Sequence, residues 1–232
     1  MACPICHDTT FTFQEKDGEM IAIPCVCRSK RDAEITLKNK LIDAHIPPIF
    51  WDYDIDHYLK LPFNPESIAF NERNIKLLIS FIKDPKLLLE SKKQVLWIWG
   101  NESNACHTTL ATILGTSFLK NDIKVRFIKM NALIEACTNF DAKKEFFDNL
   151  NTYKVFILDD AFDVTRSTAK EYSIINIFNW LDNQISQGKI FICTSNVPIR
   201  EISKSYIQSA IVLSRNNIEM ELRGSISTML MK

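Results

Sequence analysis

The sequence predicts an α/β protein in which a three-layer domain with a parallel sheet follows a small metal-binding unit. Two observations support this fold class. Four of the seven cysteines fall within the first 27 residues, in two closely spaced pairs. From about residue 68, short apolar runs alternate with longer segments of helical periodicity, which is typical of βαβ units whose sheet is covered on both faces.

The composition is that of an ordinary soluble globular chain with enough apolar material for a core. Of the 232 residues, 46% are hydrophobic and 24% are charged. The 28 basic and 28 acidic side chains cancel, so the net charge argues neither for nor against a nucleic-acid partner. Because no apolar run approaches a membrane span and the first residues do not resemble a signal peptide, we expect a cytoplasmic protein with no membrane partner.

The segment of residues 1–45 is expected to form a zinc-binding domain that ends in a helix. The candidate zinc ligands are Cys3, Cys6, Cys25 and Cys27. Two closely spaced cysteine pairs about twenty residues apart suit a closed tetrahedral zinc site. Between the pairs, two alternating segments flank Asp17-Gly18, which favours a hairpin turn, and a hairpin this short needs the metal to fold. His7 is an alternative ligand, and four free thiols in a loop are the alternative to a metal site.

A helical stretch with several basic residues runs from the last cysteine to about Ala44, and the Pro47-Pro48 pair ends it. Its charges fit a solvated helix face as well as they fit a binding patch. Residues 46–67 are rich in aromatic side chains and are interpreted as a connector to the main domain, which spans residues 68–232.

Helical and apolar segments then alternate through the main domain. We expect helices at 72–89, 108–120, 131–150 and 168–187, and strands at Val95–Trp99, 125–130, 153–158 and 189–194. Ligands of open parallel sheets bind at the carboxyl ends of the strands. Three polar clusters follow these strands, at residues 100–109, 159–160 and 194–196.

The pair Asp159-Asp160 follows an apolar strand, which is the arrangement that magnesium-dependent phosphoryl transfer requires. We expect Asp159 to hold Mg²⁺ through water and Asp160 to orient the attacking water. Asn196, at the end of the next strand, is placed to sense a γ-phosphate. Acidic residues after strands are common caps, but the three clusters in this order on consecutive βα units predict an ATPase-type core.

With these elements in place, the chain resembles the AAA+ helicase-loader family, which includes the bacterial DnaC and DnaI proteins and the transposition ATPase IstB. The resemblance covers nearly the whole length. The cysteine pairs resemble the zinc-bearing N-terminal domain of part of that family, and residues 45–50 and 56–58 are similar to the entry into its ATPase domain. Residues 156–160 resemble its "IDD" Walker B element, and residues 193–196 resemble its sensor I strand.

The resemblance implies an AAA+ (P-loop NTPase-like) domain that binds a replicative DNA helicase, engages single-stranded DNA and helps to place the helicase ring on it. It also implies ATP or ADP with Mg²⁺ as a ligand, in addition to Zn²⁺. Arg215, in a box with residues 219–224, would reach the nucleotide of a neighbouring subunit, so the resemblance implies self-assembly. The candidate side chains for DNA contact are Lys170, Lys189, Arg200 and Lys204.

The phosphate-binding loop departs from the family pattern. Where the family has G-K-T-H, this chain has Cys106-His107-Thr108-Thr109, with one extra residue after Gly100. Histidine is shorter than lysine and mostly neutral at pH 7, and the Cys106 side chain obstructs the approach of the backbone to phosphates. Thr108 can still reach Mg²⁺, and the helix N-terminus still favours an anion. We therefore expect weak nucleotide binding and poor or lost hydrolysis. The expected nucleotide-binding residues are Gly100, Cys106, His107, Thr108 and Thr109.

Three functions remain open from the sequence. The first is a helicase loader or loader-like adaptor, and the second is a non-catalytic protein that captures a host helicase or loader. The third is an IstB-like transposition regulator, which would be an active ATPase, so the degenerate loop counts against it. The family's closing G-x-[SD]-x-R pattern ends here at Thr228 and lacks its arginine. The low glycine content and the abundance of Asn, Lys and Ile indicate an AT-rich genome, such as that of a phage or mobile element.

Overall fold

A computed structural model shows a two-stranded hairpin followed by a five-stranded parallel sheet with helices on both faces, which confirms the α/β class. The residues that the structure describes are 3–100, 106–138, 140–161, 171–205 and 217–224. Within those residues, no helix combines the length and the apolar character that a bilayer span requires.

The N-terminal hairpin and helix form as expected. Strands β1 (Phe11–Lys16) and β2 (Glu19–Pro24) pair antiparallel, and helix α1 (Val26–Asp43) follows them. The hairpin turn lies at Asp17 and Gly18, whose φ angles are 55° and 83°. Glycine and aspartate tolerate this left-handed conformation, which explains why this pair marks the turn in the sequence.

The segment between α1 and the sheet contains more helix than the sequence indicated. A 3-10 turn (Pro48–Phe50) and a short helix α2 (Ile55–Leu59) precede helices α3 (Pro65–Lys83) and α4 (Lys86–Leu89). The single helix expected at 72–89 therefore begins too late and is interrupted after Lys83, although its end at Leu89 matches the end of α4. Asn64 caps the true start by accepting a hydrogen bond from the Ser67 amide at 2.7 Å, and the proline at position 85 interrupts the helix.

The five-stranded sheet has the order β4-β5-β6-β3-β7, with every neighbouring pair parallel. Its strands are β3 (Val95–Trp99), β4 (Val125–Lys129), β5 (Val155–Asp159), β6 (Ile190–Ser195) and β7 (Asn217–Glu221). The connecting helices are α5 (His107–Lys120), α6 (Met130–Thr138), α7 (Phe140–Leu150), α8 (Glu171–Ser186) and α9 (Ile199–Ser205).

The sequence missed some of these elements. The helix expected at 131–150 is two helices, α6 and α7, and α2, α9 and β7 were not expected at all. The missed strand β7 (Asn217–Glu221) lies at the sheet edge, and only one of its five residues, Met220, is buried. A strand without a continuous apolar run gives a weak pattern in the sequence.

Two hydrophobic clusters fill the layers on either side of the sheet. Alternate residues of β3 illustrate the division, because Leu96 packs with α3 and α5 whereas Trp97 packs with α6 and α8. Helix α5 is buried over residues 110–119 and forms the centre of the first layer. Ile46 and Tyr58, from the segment expected to be a connector, belong to the same cluster as α5.

Gly115 allows α5 to lie close to the sheet, and this contact gives a test of the packing. A Cβ atom at Gly115 would lie 2.5 Å from Cδ1 of Ile157, which is fully buried in β5. We expect Gly115→Ala to lower the free energy of unfolding by about 1–3 kcal/mol, because overpacking outweighs the better helix propensity of alanine.

Ile157→Val removes that Cδ1 atom and should cost about 0.5–1.5 kcal/mol by itself. In the double variant, the loss caused by Gly115→Ala should shrink or reverse. Urea denaturation of the four proteins measures the coupling. Strictly additive losses would contradict a direct contact between these two positions.

Candidate nucleotide and metal sites

The described residues of the three polar clusters lie together at the carboxyl edge of the sheet, because the clusters follow the adjacent strands β5, β6 and β3. Asp159 is the last residue of β5, Asn196 follows β6, and Gly100 follows β3. The Gly100 amide donates to the carbonyl oxygen of Ser195 at 3.2 Å, which joins two of these strand ends directly. The expected convergence of these clusters therefore follows from the strand order.

The carboxylate of Asp159 is buried and accepts two hydroxyl hydrogen bonds. Thr108, in the first turn of α5, donates to Asp159 Oδ1 at 2.6 Å, and Thr194 of β6 donates to the same oxygen at 2.8 Å. The hydroxyl and the carboxylate that would share a magnesium ion in a P-loop nucleotide site are thus in direct contact. These oxygen ligands are the type that Mg²⁺ prefers.

Thr194 also fixes the residue after Asp159. The Asp160 amide donates to the Thr194 hydroxyl at 3.1 Å, and the Ala161 amide donates to the Thr194 carbonyl oxygen at 2.7 Å. Asp160 adopts a φ of 54°, which aspartate tolerates, and its side chain is exposed at the edge of the sheet. The sequence analysis included Thr194 in the cluster 194–196 but gave it no role of its own. The parallel register of β5 and β6 pairs Leu158 with Cys193 and so sets Thr194 beside Asp159.

Cys106 adopts a backbone conformation that favours glycine. It is the residue before α5 and has a φ of 55° and a ψ of 37°, in the left-handed region that favours glycine. No side-chain hydrogen bond caps the helix there. A half-buried cysteine in this conformation is strained, and its Cβ and sulfur occupy space at the helix N-terminus.

His107 turns its ring into the protein. Its Nε2 atom is buried without a hydrogen-bond partner among the described residues, and it lies 2.7 Å from the position that a Cβ on Gly100 would take. Burial lowers the pKa of His107 to about 4, so the imidazole is neutral at pH 7. A neutral, inward-facing ring does not supply the cationic charge that a lysine at this position would offer to phosphates.

Tyr58 of α2 lies next to this loop, and the sequence analysis gave it no role. Its hydroxyl is buried without a hydrogen-bond partner among the described residues. Burial, followed by the nearby Cys106, raises the pKa of the tyrosine above its ordinary value. The segment that was expected to be a connector therefore packs in the same hydrophobic cluster as Cys106, the residue before α5.

Other candidate residues are less fully placed. Thr109 lies half-buried in the first turn of α5. Arg215, Thr228 and Lys170 lie outside the described residues, as does the loop of residues 101–105. Arg200 is exposed at the start of α9, and only the backbone of Lys204 is described. Lys189 is buried at 7% exposure, which contradicts the expectation that it contacts DNA directly.

The four N-terminal cysteines form one compact cluster. Their sulfur atoms all lie within 4.8 Å of one another, with Cys3 and Cys25 at 3.8 Å and Cys6 and Cys27 at 3.3 Å. A tetrahedral zinc with bonds of about 2.3 Å would place its sulfurs about 3.8 Å apart, so the four thiols fit the ion. His7 does not belong to the cluster.

The unit around these cysteines has almost no core of its own. Across residues 3–40, only Cys6 and Cys25 are buried. An ion pair between Arg31 and Asp8 joins α1 to the first cysteine turn, and the Asp8 carboxylate also accepts from the Cys3 amide at 2.8 Å. So few buried contacts give the hairpin little stabilisation of its own, and a metal held by the four cysteines would supply it.

The hairpin also exposes large apolar side chains. Phe13 and Met20, which share one face of the hairpin, are 63% and 66% exposed, and Val26 at the start of α1 is 77% exposed. Apolar residues concentrated on a small surface unit are typical of a contact with another protein.

No protein-family model and no curated protein sequence matches this chain, but solved structures do. The structure of the DnaC helicase loader superposes with a TM-score of 0.57 at 16% identity, covering 76% of this chain and all (100%) of that one. DnaI superposes with a TM-score of 0.57 at 12% identity, covering 78% of this chain and 93% of that one.

DnaA from Aquifex aeolicus, solved with AMPPCP bound, superposes with a TM-score of 0.55 at 17% identity over 66% of this chain. The match covers 47% of that DnaA chain, so this protein spans about half the length of the DnaA structure. At these identities the likeness establishes the fold alone. The chain therefore shares its α/β fold with these solved structures, as its resemblance to the helicase-loader family implied.

Proposed function

We propose that this protein is a helicase loader or loader-like adaptor that binds a replicative DNA helicase and single-stranded DNA, with weak or lost ATP hydrolysis. The observation that supports this most directly is the combination of a loader-type fold with a half-retained nucleotide site. The solved structures with similar folds include one described as a helicase loader and a DnaA bound to AMPPCP and single-stranded DNA.

At the carboxyl edge of the sheet, we expect a nucleotide to be held mainly through Mg²⁺ and only weakly by the phosphate loop. Asp159 and Thr108, which are hydrogen-bonded to each other, would hold Mg²⁺, and Asp160 and Asn196 would act on an attacking water and a γ-phosphate. His107 and Cys106 replace the residues that would hold the phosphates. Efficient turnover requires both halves, so we infer weak binding of ATP or ADP and negligible hydrolysis.

The N-terminal unit is proposed to hold one Zn²⁺ through Cys3, Cys6, Cys25 and Cys27 and to contact the helicase. The ion would supply the cross-link that fixes the hairpin relative to α1. Phe13 and Met20 on the exposed hairpin face are the proposed contact residues. Arg215 remains a proposed contact between neighbouring subunits.

A helicase-binding experiment tests the proposed function. Gel filtration of the protein with a cognate replicative helicase should give a stable complex with or without ATP. Phe13→Ser combined with Met20→Ser should abolish the complex and retain the metal, because these side chains lie on the open face of the hairpin. Leu87→Ser, which changes a 48% exposed leucine on α4, is the matched control.

A complex that forms equally well with the hairpin variant would contradict the proposed contact, and no complex at all would contradict the helicase role. A single-strand loading assay then separates a loader from a protein that only captures the helicase. An IstB-like regulator would instead show strong ATPase activity without the helicase.

The phosphate loop can be tested by restoring its chemistry. A charge-assisted contact contributes about 1.5–3 kcal/mol, so its loss lowers affinity on the order of 10–100-fold. Cys106→Gly with His107→Lys should recover part of the Mg-ATP affinity, because glycine suits the left-handed backbone and lysine restores the charge. Deleting one residue within 101–105 in the same protein should improve binding further.

Isothermal titration of the native protein and the two variants with Mg-ATP measures this series. Thermal melting is the control, since Cys106→Gly is expected to leave the fold intact. Tight binding by the native protein would mean that another residue replaces the lysine. No gain in either variant would mean that the loop is not a phosphate site.

The zinc proposal predicts one zinc per chain in the purified protein. Cys25→Ser should lose the ion and unfold the first 30 or so residues, whereas the α/β domain should melt as before because its core is separate. Cys106→Ser, which removes a thiol outside the cluster, should keep its zinc. Elemental analysis and amide exchange measure both effects, and native protein without stoichiometric metal would refute the site.

A further inference from the structure

A row of lysines crosses the amino edge of the sheet, opposite the candidate nucleotide site. Lys124, Lys154 and Lys189 immediately precede β4, β5 and β6, and Lys93 lies two residues before β3. The strand register pairs Val125 with Val155, Val155 with Ile190, and Val95 with Phe191. Continuing each ladder by one or two residues brings the four lysines side by side.

Backbone hydrogen bonds support this continuation. The Lys154 amide donates to the Lys124 carbonyl oxygen at 3.0 Å, and the Ile190 amide donates to the Lys154 carbonyl oxygen at 3.0 Å. The Phe191 amide donates to the Gln94 carbonyl oxygen at 2.7 Å. Residues in register on neighbouring parallel strands project to the same face and lie about 4.8 Å apart, so the positive charges are concentrated along one line.

Two of these ammonium groups contact carbonyl oxygens. Lys154 Nζ donates to the Gly188 carbonyl oxygen at 2.8 Å, and Lys189 Nζ donates to the Asn151 carbonyl oxygen at 2.9 Å. Carbonyl oxygens do not cancel a charge as a carboxylate would. Burial lowers the pKa of Lys189, and the nearby charge of Lys154 lowers it further.

A cleft of about 570 Å³ lies at the β4 end of this row, between the end of α1 and the sheet. Lys40, Lys124 and Arg126 line it, together with Asp43 and Asp122. Of the two acidic groups, Asp122 is paired with Lys40 at 2.6 Å. The Arg126 Nε atom is buried with no hydrogen-bond partner among the described residues.

Two smaller clefts extend this one on both sides. One shares Lys40 and is also lined by Lys30, Lys120 and Glu34. The other shares Arg126 and Tyr153 and is also lined by Asp148. The Arg126 guanidinium lies 5.5 Å from the centre of the Tyr153 ring, so the furrow contains an aromatic ring beside a cation. An extended furrow with cations and an aromatic side chain suits a flexible phosphate-bearing strand better than a compact ligand.

We propose that this amino-edge furrow binds the phosphodiester backbone of single-stranded nucleic acid, with Lys124 and Arg126 as its central contacts. Lys154 and the buried Lys189 raise the positive potential around them. The inference rests on the proposed function in taking single-stranded DNA as the partner, and it assigns that partner to the edge of the sheet opposite Asp159.

A purely structural role explains part of this row. Lys154 and Lys189 contact carbonyl oxygens that follow the ends of α8 and α7, where a cation stabilises a helix. Lys124 is exposed, and its side chain makes no contact of this kind among the described residues. Lys124 and Arg126 are therefore the positions at which a binding role and a structural role predict different results.

The test compares native protein with Lys124→Gln/Arg126→Gln and with Lys60→Gln/Lys76→Gln, which removes two charges from α3 and the end of α2. Binding of a fluorescein-labelled 20-nucleotide oligo(dT) is measured by anisotropy over a range of salt concentrations. We expect the furrow variant to bind at least about 10-fold more weakly. The slope of log affinity against log salt concentration should become shallower by about 1.4, because each of the two lost phosphate contacts contributes about 0.7.

The control variant should bind like native protein. Lys124→Gln alone serves as a second variant, because this exposed side chain can change without disturbing the contact of Arg126 with the Asp43 carbonyl oxygen. Equal binding by the furrow and control variants would overturn the furrow while leaving single-stranded DNA as a partner. The same proteins are also tested for binding to vesicles with 30% phosphatidylserine. If the furrow variant binds these vesicles more weakly than native protein does while its DNA binding is unchanged, the furrow is a membrane-binding surface and the proposal is overturned.

A second readout separates this inference from the proposed function. His45 lines the same cleft, and burial together with the charge of Arg126 lowers the pKa of its ring. Sodium tripolyphosphate should shift the His45 imidazole signals in NMR spectra of native protein and not of the furrow variant. If these signals shift but the oligonucleotide does not bind, the DNA-binding part of the proposed function fails and the cleft binds free phosphate instead. If neither occurs, the furrow is refuted.

Discussion

The parallel register of β6 between β5 and β3 is the constraint on which the candidate site depends. It sets Thr194 beside Asp159, where the threonine hydroxyl reaches the carboxylate and also receives the Asp160 amide. It also joins the Gly100 amide to the Ser195 carbonyl oxygen, where β3 and β6 end. Because these contacts belong to a buried sheet, the fold itself holds Asp159 and Thr194 in position.

The start of α5 carries two side chains that do not suit phosphate binding. Cys106 adopts a left-handed backbone conformation in which its side chain is strained and would obstruct a phosphate. His107 has a neutral ring that faces Gly100. The fold tolerates both side chains because α5 is anchored by the burial of residues 110–119, which does not depend on a ligand.

The two edges of the sheet have opposite chemistry. Carboxylates and hydroxyls gather at the carboxyl edge, and lysines gather at the amino edge, although the chain as a whole has no net charge. The N-terminal unit has a third kind of surface, with exposed apolar side chains on a hairpin that has scarcely any core. A protein that brings different partners together needs separate surfaces of this kind, which is consistent with a loader-like adaptor.

Sequence alone determined the α/β class, the strand Val95–Trp99, the hairpin turn at Asp17-Gly18 and the clustering of four cysteines, because each depends on local pattern or on the strand-end rule for parallel sheets. It did not determine the inward rotation of His107, the bridging role of Thr194 or the burial of Lys189. Those features arise from contacts between strands far apart in the chain, which no local pattern encodes. The lysine row likewise became visible only when the register aligned four separate strand starts.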